Sequence, residues 1–292
     1  MMKQSEILLV GKKIGFIGAR VMGKFMILNL MKKGFEVYVY ARDKQKIEDI
    51  LKAGAFFCES IESCVKDKDV VITIVGYPKD VEEVYLSQKG ILNSAKEDTY
   101  LIDMTTTSPK LIIDIYNKAK EKGLKFLDAP VSGGDVGAKN ATLSIMVGGD
   151  EDNFNACKDI FEAMGTTIIY EGKSGSGQHT KMANQIVIAG IIAGVSEAIT
   201  YGKKVGLDIE TMLRSISNGA AGSWQMSNNA PKMYKRDFEP EFYIKHFIKD
   251  LKIANEEAPT LKVLKDVLEM YETLEKNGNG DLGTQAICKY YE

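Results

Sequence analysis

The feature that most constrains the fold is an alternation of short β-rich runs with amphipathic helical stretches, which continues up to about residue 172. The candidate strands are KIGFIG, EVYVY, VVITIV, TYLIDM, KFLDAP, LSIMVGG and TTIIYE. Helical patterns lie between most of them, as at 21–33, 109–122 and 152–163. Segments of this size in this order predict an α/β fold with a mostly parallel, doubly wound sheet.

The pattern changes in the Gly/Ser-rich stretch EGKSGSGQ, after which the β signal disappears. From His179 onward helical periodicity dominates, with breaks at VGLD, NGAAGS and EKNGNGDLG. We therefore expect two domains, an α/β domain over 1–172 and an all-helical domain over 173–292. A long helix from about 177 to 204 should lead into the second domain.

The run IVIAGIIAGV (186–195) is apolar enough to raise the question of a membrane span. Its ten residues are bounded by polar side chains and are fewer than the roughly 20 needed to cross the hydrocarbon core. We therefore expect a buried core helix and no membrane contact. Gly190 and Gly194, one turn apart, would let another helix pack closely against this one.

Composition narrows the classes of function. A chain of 292 residues with 45% hydrophobic residues suits a globular protein, and its net charge of −2 provides no broad basic surface for nucleic acid. The four cysteines include no CxxC pair, and with only two histidines they predict neither a disulfide framework nor a metal site. Free thiols fit a reducing cytosol, and the N-terminal sequence MMKQSEILLVGKK lacks the features of a signal peptide. The expected location is the cytoplasm.

The sequence IGFIGARVMGK joins the first predicted strand to the first predicted helix and has the spacing of a dinucleotide-binding turn. In such turns the first glycine permits the tight turn, the second lets the backbone approach the pyrophosphate, and the third lets the helix pack on the strand. Gly18 and Gly23 take the first and third places, whereas Arg20 takes the second. The residues expected to contact a dinucleotide here are Gly18, Ala19, Arg20, Val21, Met22 and Gly23.

Five longer motifs extend this interpretation over nearly the whole chain. They are GFIGARVMG, DMTTTSP, DAPVSGGDVGAKNATLSIMVGG, GSGQHTKMANQ and FYIKHFIKDL, in this order. Together they resemble the β-hydroxyacid dehydrogenase family, whose members include 3-hydroxyisobutyrate dehydrogenases and tartronate semialdehyde reductases. The resemblance implies a Rossmann-type N-terminal domain and a helical domain for substrate binding and oligomerisation. It also implies hydride transfer between NAD(P) and a small β-hydroxyacid or semialdehyde.

The resemblance implies that Lys181, in GSGQHTKMANQ, is the catalytic acid/base. Hydride transfer at a carbon that bears oxygen requires a proton to move on or off that oxygen, and an ammonium can polarise a carbonyl and then protonate it. Asn184 follows on the same helical face and resembles the family asparagine that helps to hold the substrate, although it could also be an ordinary packing amide. For Trp224 we consider two places, the mouth of the substrate site and the buried core.

Ser132, Gly133 and Gly134 resemble the loop that binds the substrate carboxylate in the family. Adjacent glycines can direct backbone N–H groups at an anion, and the serine adds a hydroxyl donor. The resemblance also implies that Thr105, beyond the strand TYLIDM, and Lys249 contact the cofactor near its nicotinamide. Without the resemblance, Lys249 would be interpreted as a solvated charge.

Cofactor preference depends on VYVYARDKQK, at the end of the second predicted strand. NAD-binding folds usually have an acid at this strand tip, which binds the ribose 2′-hydroxyl. Here Ala41 occupies the tip and Arg42 follows, so a guanidinium is available for the 2′-phosphate of NADP. Asp43 could bind a ribose, repel the phosphate or cap the next helix. We expect a preference for NADP, with NAD also possible.

Arg20 and Lys181 decide between three functions. Arg20 could weaken pyrophosphate binding, contact a phosphate, or block the site and leave a catalytically impaired dinucleotide-binding protein. An imine reductase shares the fold but typically has aspartate or tyrosine where this chain has Lys181. We favour a dehydrogenase with weakened cofactor binding. Its expected partners are a small carboxylate-bearing substrate and further copies of the chain, in a homodimer or homotetramer as in the family.

Overall fold

The computed structural model describes residues 11–292, so residues 1–10 of the sequence considered above for a signal peptide lie outside the described residues. Tertiary contacts divide the chain into two compact units, with the division after Lys181. The helix that the sequence predicts over about 177–204 is continuous over Ser176–Lys204, and the division falls inside it.

The first unit is built on one β-sheet, which has nine strands within residues 11–292. They are β1 (Lys13–Ile17), β2 (Glu36–Tyr40), β3 (Phe56–Cys58), β4 (Val70–Thr73), β5 (Tyr100–Asp103), β6 (Lys125–Asp128), β7 (Val131–Ser132), β8 (Leu143–Gly149) and β9 (Gly165–Gly172). Across the sheet their order is β3-β2-β1-β4-β5-β6-β8-β7, with β9 also paired to β8. All neighbours from β3 to β6 are parallel, whereas β8 is antiparallel to β6 and β7 and parallel to β9. The predicted mostly parallel, doubly wound sheet is confirmed.

Helices follow most of these strands, as the alternating pattern predicts. They are α1 (Val21–Lys32), α2 (Glu48–Lys52), α3 (Ile61–Val65), α4 (Pro78–Leu86), α5 (Ile91–Ser94), α6 (Pro109–Glu121), α7 (Gly134–Asn140), α8 (Glu151–Ala156) and α9 (Lys158–Glu162), with a 3₁₀ helix at Lys44–Ile47 before α2. The pattern at 152–163 predicted one helix, but α8 and α9 are separate and meet at Cys157. Strands β3 and β7 were not predicted, because three and two residues are too few to show a periodicity.

Alternate residues of the central strands pack into different apolar layers. Val70 and Ile72 of β4 belong to one core cluster, whereas Val71 between them belongs to the other. Strand β6 repeats the arrangement with Leu127 and Phe126. Since successive side chains of a strand point to opposite faces, the sheet has an apolar core on each face. This kind of fold binds its ligands at the carboxyl ends of the parallel strands.

The second unit is helical in the described residues that follow helix α10 (Ser176–Lys204), apart from one isolated β-bridge between Tyr243 and Gly283. Its other elements are α11 (Ile209–Ile216), α12 (Ala230–Lys235), α13 (Ile244–Glu257) and α14 (Lys262–Leu274), π-helical segments at Gln225–Asn229 and Glu275–Asn279, and a 3₁₀ helix at Thr284–Tyr291. Phe247, Leu251 and Tyr271 are fully buried in the core of this unit. This core contains no residue of the two cores that flank the sheet.

Among the described helices, only α10 is long and apolar enough to cross a membrane, judged by length and composition alone. The ten-residue apolar run is part of this 29-residue helix, so the argument that its length excludes a span is wrong. Ala189, Ile192 and Val195 are buried, yet only 39% of the most apolar segment is buried within the chain. Val187 and Tyr201 are 58% and 63% exposed. Helix α10 therefore has a core side and an exposed apolar side.

Candidate functional site

The turn between β1 and α1 contains glycine at the two places where nothing larger fits. Gly18 has a φ of +109°, and a Cβ on it would lie 2.0 Å from the carbonyl oxygen of Ile74. A Cβ on Gly23 would lie 2.0 Å from the carbonyl oxygen of Gly18. The start of α1 is therefore packed directly against the turn, and the turn against the chain that follows β4. This is the packing that a dinucleotide-binding turn requires.

Arg20 is the N-cap residue of α1. Its backbone is extended, with φ of −89° and ψ of −150°, and any residue can adopt this conformation. A glycine at this position would therefore serve only to leave space for the pyrophosphate. Its exposed side chain does not cap the helix, and the first turn of α1 has no acidic residue. Ala19 is buried, Val21 is 59% exposed and Met22 is half-buried. Uncapped N–H groups behind a glycine turn fit a pyrophosphate, so these residues fit NAD(P).

At the tip of β2, Arg42 is the cation that the sequence predicts for a 2′-phosphate. Its side chain is 72% exposed, and its Nη2 lies 3.7 Å from Asp80 Oδ1 and 3.5 Å from Glu83 Oε2, both on α4. Asp43 caps the 3₁₀ helix, because its Oδ1 accepts a hydrogen bond from the N–H of Gln45 at 3.0 Å. Of the roles considered for Asp43, capping is confirmed. A phosphate bound to Arg42 would therefore lie near the carboxylates of Asp80 and Glu83.

The Thr105 loop (residues 104–108) connects β5 to α6 and is largely buried. Thr105 lies two residues beyond the strand, is 1% exposed, and accepts at Oγ1 a hydrogen bond from the N–H of Val75 at 3.0 Å. Asp103, the last residue of β5, accepts from the Thr73 hydroxyl at 2.7 Å and from the Thr105 N–H at 3.3 Å. Burial raises the pKa of Asp103 to about 7, although these hydrogen bonds oppose the shift. The loop is therefore bonded to the ends of both β4 and β5.

The start of α10 is fixed by a buried carboxylate. Asp128, the last residue of β6, accepts hydrogen bonds from the N–H of Gly175 at 2.8 Å and from the N–H of Gln178 at 3.0 Å. Burial raises the pKa of Asp128, whereas these N–H groups act to lower it. Lys181 follows in the next turn of the helix and is 7% exposed.

Gln178 connects the start of α10 to the Thr105 loop. Its side chain donates from Nε2 to the carbonyl oxygen of Thr105 at 2.7 Å and accepts at Oε1 from the N–H of Thr107 at 3.0 Å. Lys181 lies three residues further along the same helix. Within the first unit, the structure thus brings the predicted nicotinamide-side threonine to the helical turn that precedes the predicted acid/base.

The segment of Ser132, Gly133 and Gly134 links β7 to α7. The φ values of Gly133 and Gly134 are +129° and +64°, so both positions favour glycine. Nothing lies within 4 Å of a Cβ on Gly134, so conformation rather than space requires glycine there. Ser132 is half-buried and pairs with Ser144 of β8. Successive residues in such turns can direct their N–H groups at an anion.

In the second unit, Asn184 and Lys249 are connected through two residues that the sequence did not single out. Asn184 Nδ2 donates to Gln185 Oε1 at 2.9 Å, and Gln185 Nε2 donates to Asp250 Oδ2 at 2.5 Å. Lys249 Nζ lies 3.0 Å from Asp250 Oδ1, and the Lys249 side chain is 12% exposed. The interpretation of Lys249 as a solvated charge is therefore wrong.

Sequence reasoning missed the buried polar residues that support these side chains. Two of them are acids that end predicted strands, in TYLIDM and KFLDAP, and an acid at the end of a buried strand is a signal that could have been used. The others lie inside quoted motifs but have no pattern that separates them from their neighbours. The missed residues are Asp103, Asp128, Gln178, Gln185 and Asp250.

Trp224 is 58% exposed, so its placement in the buried core is wrong. Over the part of the chain that the structure describes, no three His, Cys, Asp or Glu side chains cluster in a way that could hold a metal ion. The cysteines Cys58, Cys64, Cys157 and Cys288 are all free thiols and buried.

Two family models match the chain over most of its length. Residues 13–172 match the model described as the NAD binding domain of 6-phosphogluconate dehydrogenase. Residues 175–291 match the model described as NAD-binding of NADP-dependent 3-hydroxyisobutyrate dehydrogenase. The two matched regions correspond to the sheet domain and to the helical region that starts with α10.

Individual proteins support the same family. The uncharacterized oxidoreductase YkwC of Bacillus subtilis is 52% identical over 287 residues, which cover 96% of this chain and 99% of the relative. Probable 3-hydroxyisobutyrate dehydrogenase-like 1 of Arabidopsis thaliana is 43% identical, over 94% of this chain and 84% of the relative. A solved structure of Mycobacterium tuberculosis 3-hydroxyisobutyrate dehydrogenase with L-serine has a TM-score of 0.90 at 28% identity, and covers 97% of this chain and 100% of that one. The chain therefore belongs to the β-hydroxyacid dehydrogenase family and is an NAD(P)-dependent oxidoreductase that acts on hydroxyacids.

Proposed function

We propose that this enzyme oxidises a small β-hydroxyacid, or reduces the corresponding semialdehyde, with Lys181 as the general acid/base. The observation that carries the proposal is the position of Lys181. It is 7% exposed and lies one helical turn after Gln178, whose side chain bonds the Thr105 loop. A buried amine near this loop is suited to exchange a proton with a substrate oxygen away from bulk water.

When bound, NAD(P) accepts or supplies the hydride at the carbon that bears the reacting oxygen. In oxidation, the substrate hydroxyl gives its proton to the neutral Nζ of Lys181. In reduction, the charged Nζ polarises the carbonyl oxygen and then donates a proton to it. The side chain must therefore start each direction in a different protonation state.

The substrate carboxylate is assigned to Ser132, Gly133 and Gly134. The positive φ values of both glycines support this role, because such turns can direct N–H groups at an anion. The Ser132 hydroxyl can add a further donor. Asn184 follows Lys181 by one turn of α10, and we assign its amide to the substrate as well.

The cofactor is assigned to the glycine turn, the tip of β2, Thr105 and Lys249. We propose that NADP is preferred and that NAD is also used. Arg42 supports the preference as an exposed guanidinium at the strand tip. Asp43 caps the 3₁₀ helix through Oδ1, and the Nζ of Lys46 lies 3.5 Å from its Oδ2 and offsets its charge.

Names of related proteins indicate which acids to test. A relative named for 3-hydroxyisobutyrate and a related structure with L-serine make these two acids the first substrates to test. The resemblance to tartronate semialdehyde reductases adds tartronate semialdehyde as a third. The two hydroxyacids are assayed with NAD+ and NADP+ and the semialdehyde with NADH and NADPH, by following the absorbance of the reduced nicotinamide. We expect turnover of at least one of the three, with a higher kcat/KM for the phosphorylated cofactor. Turnover of a cyclic imine with NADPH and of none of the acids would instead identify an imine reductase.

We further propose that the chain forms a homodimer or homotetramer in the cytoplasm and binds neither nucleic acid nor membrane. The exposed apolar side of α10 supports self-association. A Cβ on Gly190 would be 3.9 Å from Val263 Cγ1, and nothing among the described residues lies within 4 Å of one on Gly194. A helix of a second copy could therefore pack closely there. The free thiols fit a reducing compartment.

A further inference from the structure

Gln178 has both ends of its amide bonded to the main chain of another segment. The side chain is fully buried, its Nε2 donates to Thr105 O at 2.7 Å, and its Oε1 accepts from Thr107 N at 3.0 Å. Only one orientation of the amide satisfies both bonds. In the flipped amide, Nε2 would face the Thr107 N–H and Oε1 would face the Thr105 carbonyl oxygen, so neither bond could form. Gln178 therefore fixes the Thr105 loop at two points.

The main chain of Gln178 is held as tightly as its side chain. Its N–H donates to Asp128 Oδ2 at 3.0 Å, and the N–H of Gly175 donates to Oδ1 of the same carboxylate at 2.8 Å. A Cβ on Gly177 would lie 2.4 Å from the carbonyl oxygen of Met146, so this turn of α10 also packs closely on β8. The start of the helix cannot shift along its axis without breaking these contacts.

We infer that Gln178 is a positioning residue for the reaction, which sets the distance between Lys181 and the Thr105 loop. This inference rests on the proposed function, in which Lys181 is the acid/base. Lys181 is one turn beyond Gln178 on α10, so any movement of the loop relative to this turn changes where a nicotinamide held by Thr105 lies relative to Nζ. Val75 N donates to Thr105 Oγ1 at 3.0 Å and fixes the loop from its other side.

The bonding pattern, and not the volume of the side chain, carries this role. Methionine fills a similar volume but provides no strong donor or acceptor, so Gln178→Met would leave the Thr105 carbonyl and the Thr107 N–H buried without these partners. Gln178→Glu keeps an acceptor for Thr107 N–H but loses the donor to Thr105. In Gln178→Glu a carboxylate oxygen would instead face the Thr105 carbonyl oxygen, so both variants should loosen the loop.

The kinetic test is a double-mutant cycle of Gln178→Met with Lys181→Ala. The single-turnover rate of hydride transfer is measured with the fastest of 3-hydroxyisobutyrate, L-serine and tartronate semialdehyde. In the chain with Lys181, we expect Gln178→Met and Gln178→Glu each to lower this rate about 10- to 100-fold, since small displacements of reacting groups cost rates of this order. In the Lys181→Ala chain, the same changes should lower the rate by less than about twofold. Equal losses in both chains would overturn the inference.

Gln285→Met is the matched control. Gln285 is 2% exposed, and its Nε2 also bonds two main-chain carbonyls, those of Asp237 at 3.1 Å and Glu239 at 2.9 Å. Both Gln178→Met and Gln285→Met should lower the melting temperature, but only the former should slow hydride transfer per folded molecule. An equal slowing by both would show that Gln178 contributes stability alone.

Amide hydrogen exchange of the protein without cofactor provides a readout that needs no turnover. Gln178→Met should accelerate exchange of the Thr107 N–H about tenfold or more, whereas Gln285→Met should leave it unchanged. Unchanged exchange in Gln178→Met would overturn the inference. If Lys181→Ala alone keeps the wild-type rate, the proposed function fails. That outcome comes from comparing Lys181→Ala with wild type, whereas the inference about Gln178 is tested by comparing each Gln178 variant with its own parent.

Discussion

We propose that two arginines, Arg20 at the dinucleotide turn and Arg42 at the tip of β2, act on the cofactor for different physical reasons. Arg42 is exposed between Asp80 and Glu83, and exposed ion pairs of this kind contribute little, typically about 0–1 kcal/mol. A 2′-phosphate, which accepts charge-assisted hydrogen bonds, can therefore compete for its guanidinium. Arg20 instead adds a long side chain where the backbone of a standard turn approaches the pyrophosphate.

Arg42→Ala should weaken NADPH binding by roughly 1.5–3 kcal/mol and NADH binding little, because only NADPH has the 2′-phosphate. Glu83→Gln is the complementary variant, since it removes a carboxylate 3.5 Å from the guanidinium and should tighten NADPH binding alone. Fluorescence titrations with both cofactors measure these changes. Equal losses for the two cofactors in Arg42→Ala, or a wild-type preference for NADH, would contradict the assignment of this strand tip.

Arg20→Gly should tighten NADPH binding, because removal of the side chain reopens the approach of the backbone to the pyrophosphate. The extended backbone at Arg20 accepts any residue, so we expect binding in the wild type to be weakened and not abolished. Titrations at low and high salt test this. Weaker binding of NADPH by the glycine variant at low salt, with a flatter salt dependence, would show that Arg20 is a phosphate ligand.

At the scale of elements, the carboxyl ends of β5 and β6 each carry a buried acid with a different task. Asp103 bonds the hydroxyl of Thr73 and the N–H of Thr105, whereas Asp128 bonds N–H groups at the start of α10. The pKa values of both acids are raised by burial. One acid thus holds the Thr105 loop and the other holds the start of α10.

Asp103→Asn should change how stability depends on pH. The pKa of Asp103 in the folded protein is about 7, above the value of a free carboxyl, so its contribution is largest below about pH 4 and is lost as pH rises through about 7. The asparagine variant has no such loss. Its unfolding free energy relative to wild type should rise by up to about 1.4 kcal/mol per pH unit over this range and then level off. Urea unfolding at a series of pH values measures it, and a constant difference would contradict the raised pKa.

The parts of the fold that repeat could be predicted from sequence, and the parts fixed by single buried contacts could not. The runs EVYVY and VVITIV, rich in valine, isoleucine and tyrosine, identify β2 and β4, and the helical pattern at 109–122 identifies α6. The family motifs identified Lys181 as a candidate. Nothing in the sequence shows that Gln178 bonds Thr105 and Thr107, because those residues are about 70 positions away and only the folded sheet brings them together.

At the scale of the whole molecule, the exposed apolar side of α10 has no packing partner within a single copy of the described chain. Val187 and Tyr201 are more than half exposed, and large exposed apolar surfaces usually mark an interface. We expect light scattering at micromolar concentration to give two or four times the 32.3 kDa of one chain. Val187→Lys should shift the mass downward, while Ile169→Lys, at a position 50% exposed on β9, should not. A wild-type mass of one chain would contradict the proposed assembly.

The kinetics of Lys181→Ala test the central claim most directly, because Lys181 is the residue to which the account assigns proton transfer. We expect kcat to fall by about 10²- to 10⁴-fold, with the cofactor dissociation constant changed less than about threefold, since the amine is needed for the proton and not for binding NAD(P). Lys204→Ala, at the exposed far end of the same helix, is the control and should keep wild-type kcat. A Lys181→Ala enzyme that turns over within about tenfold of wild type would contradict the account.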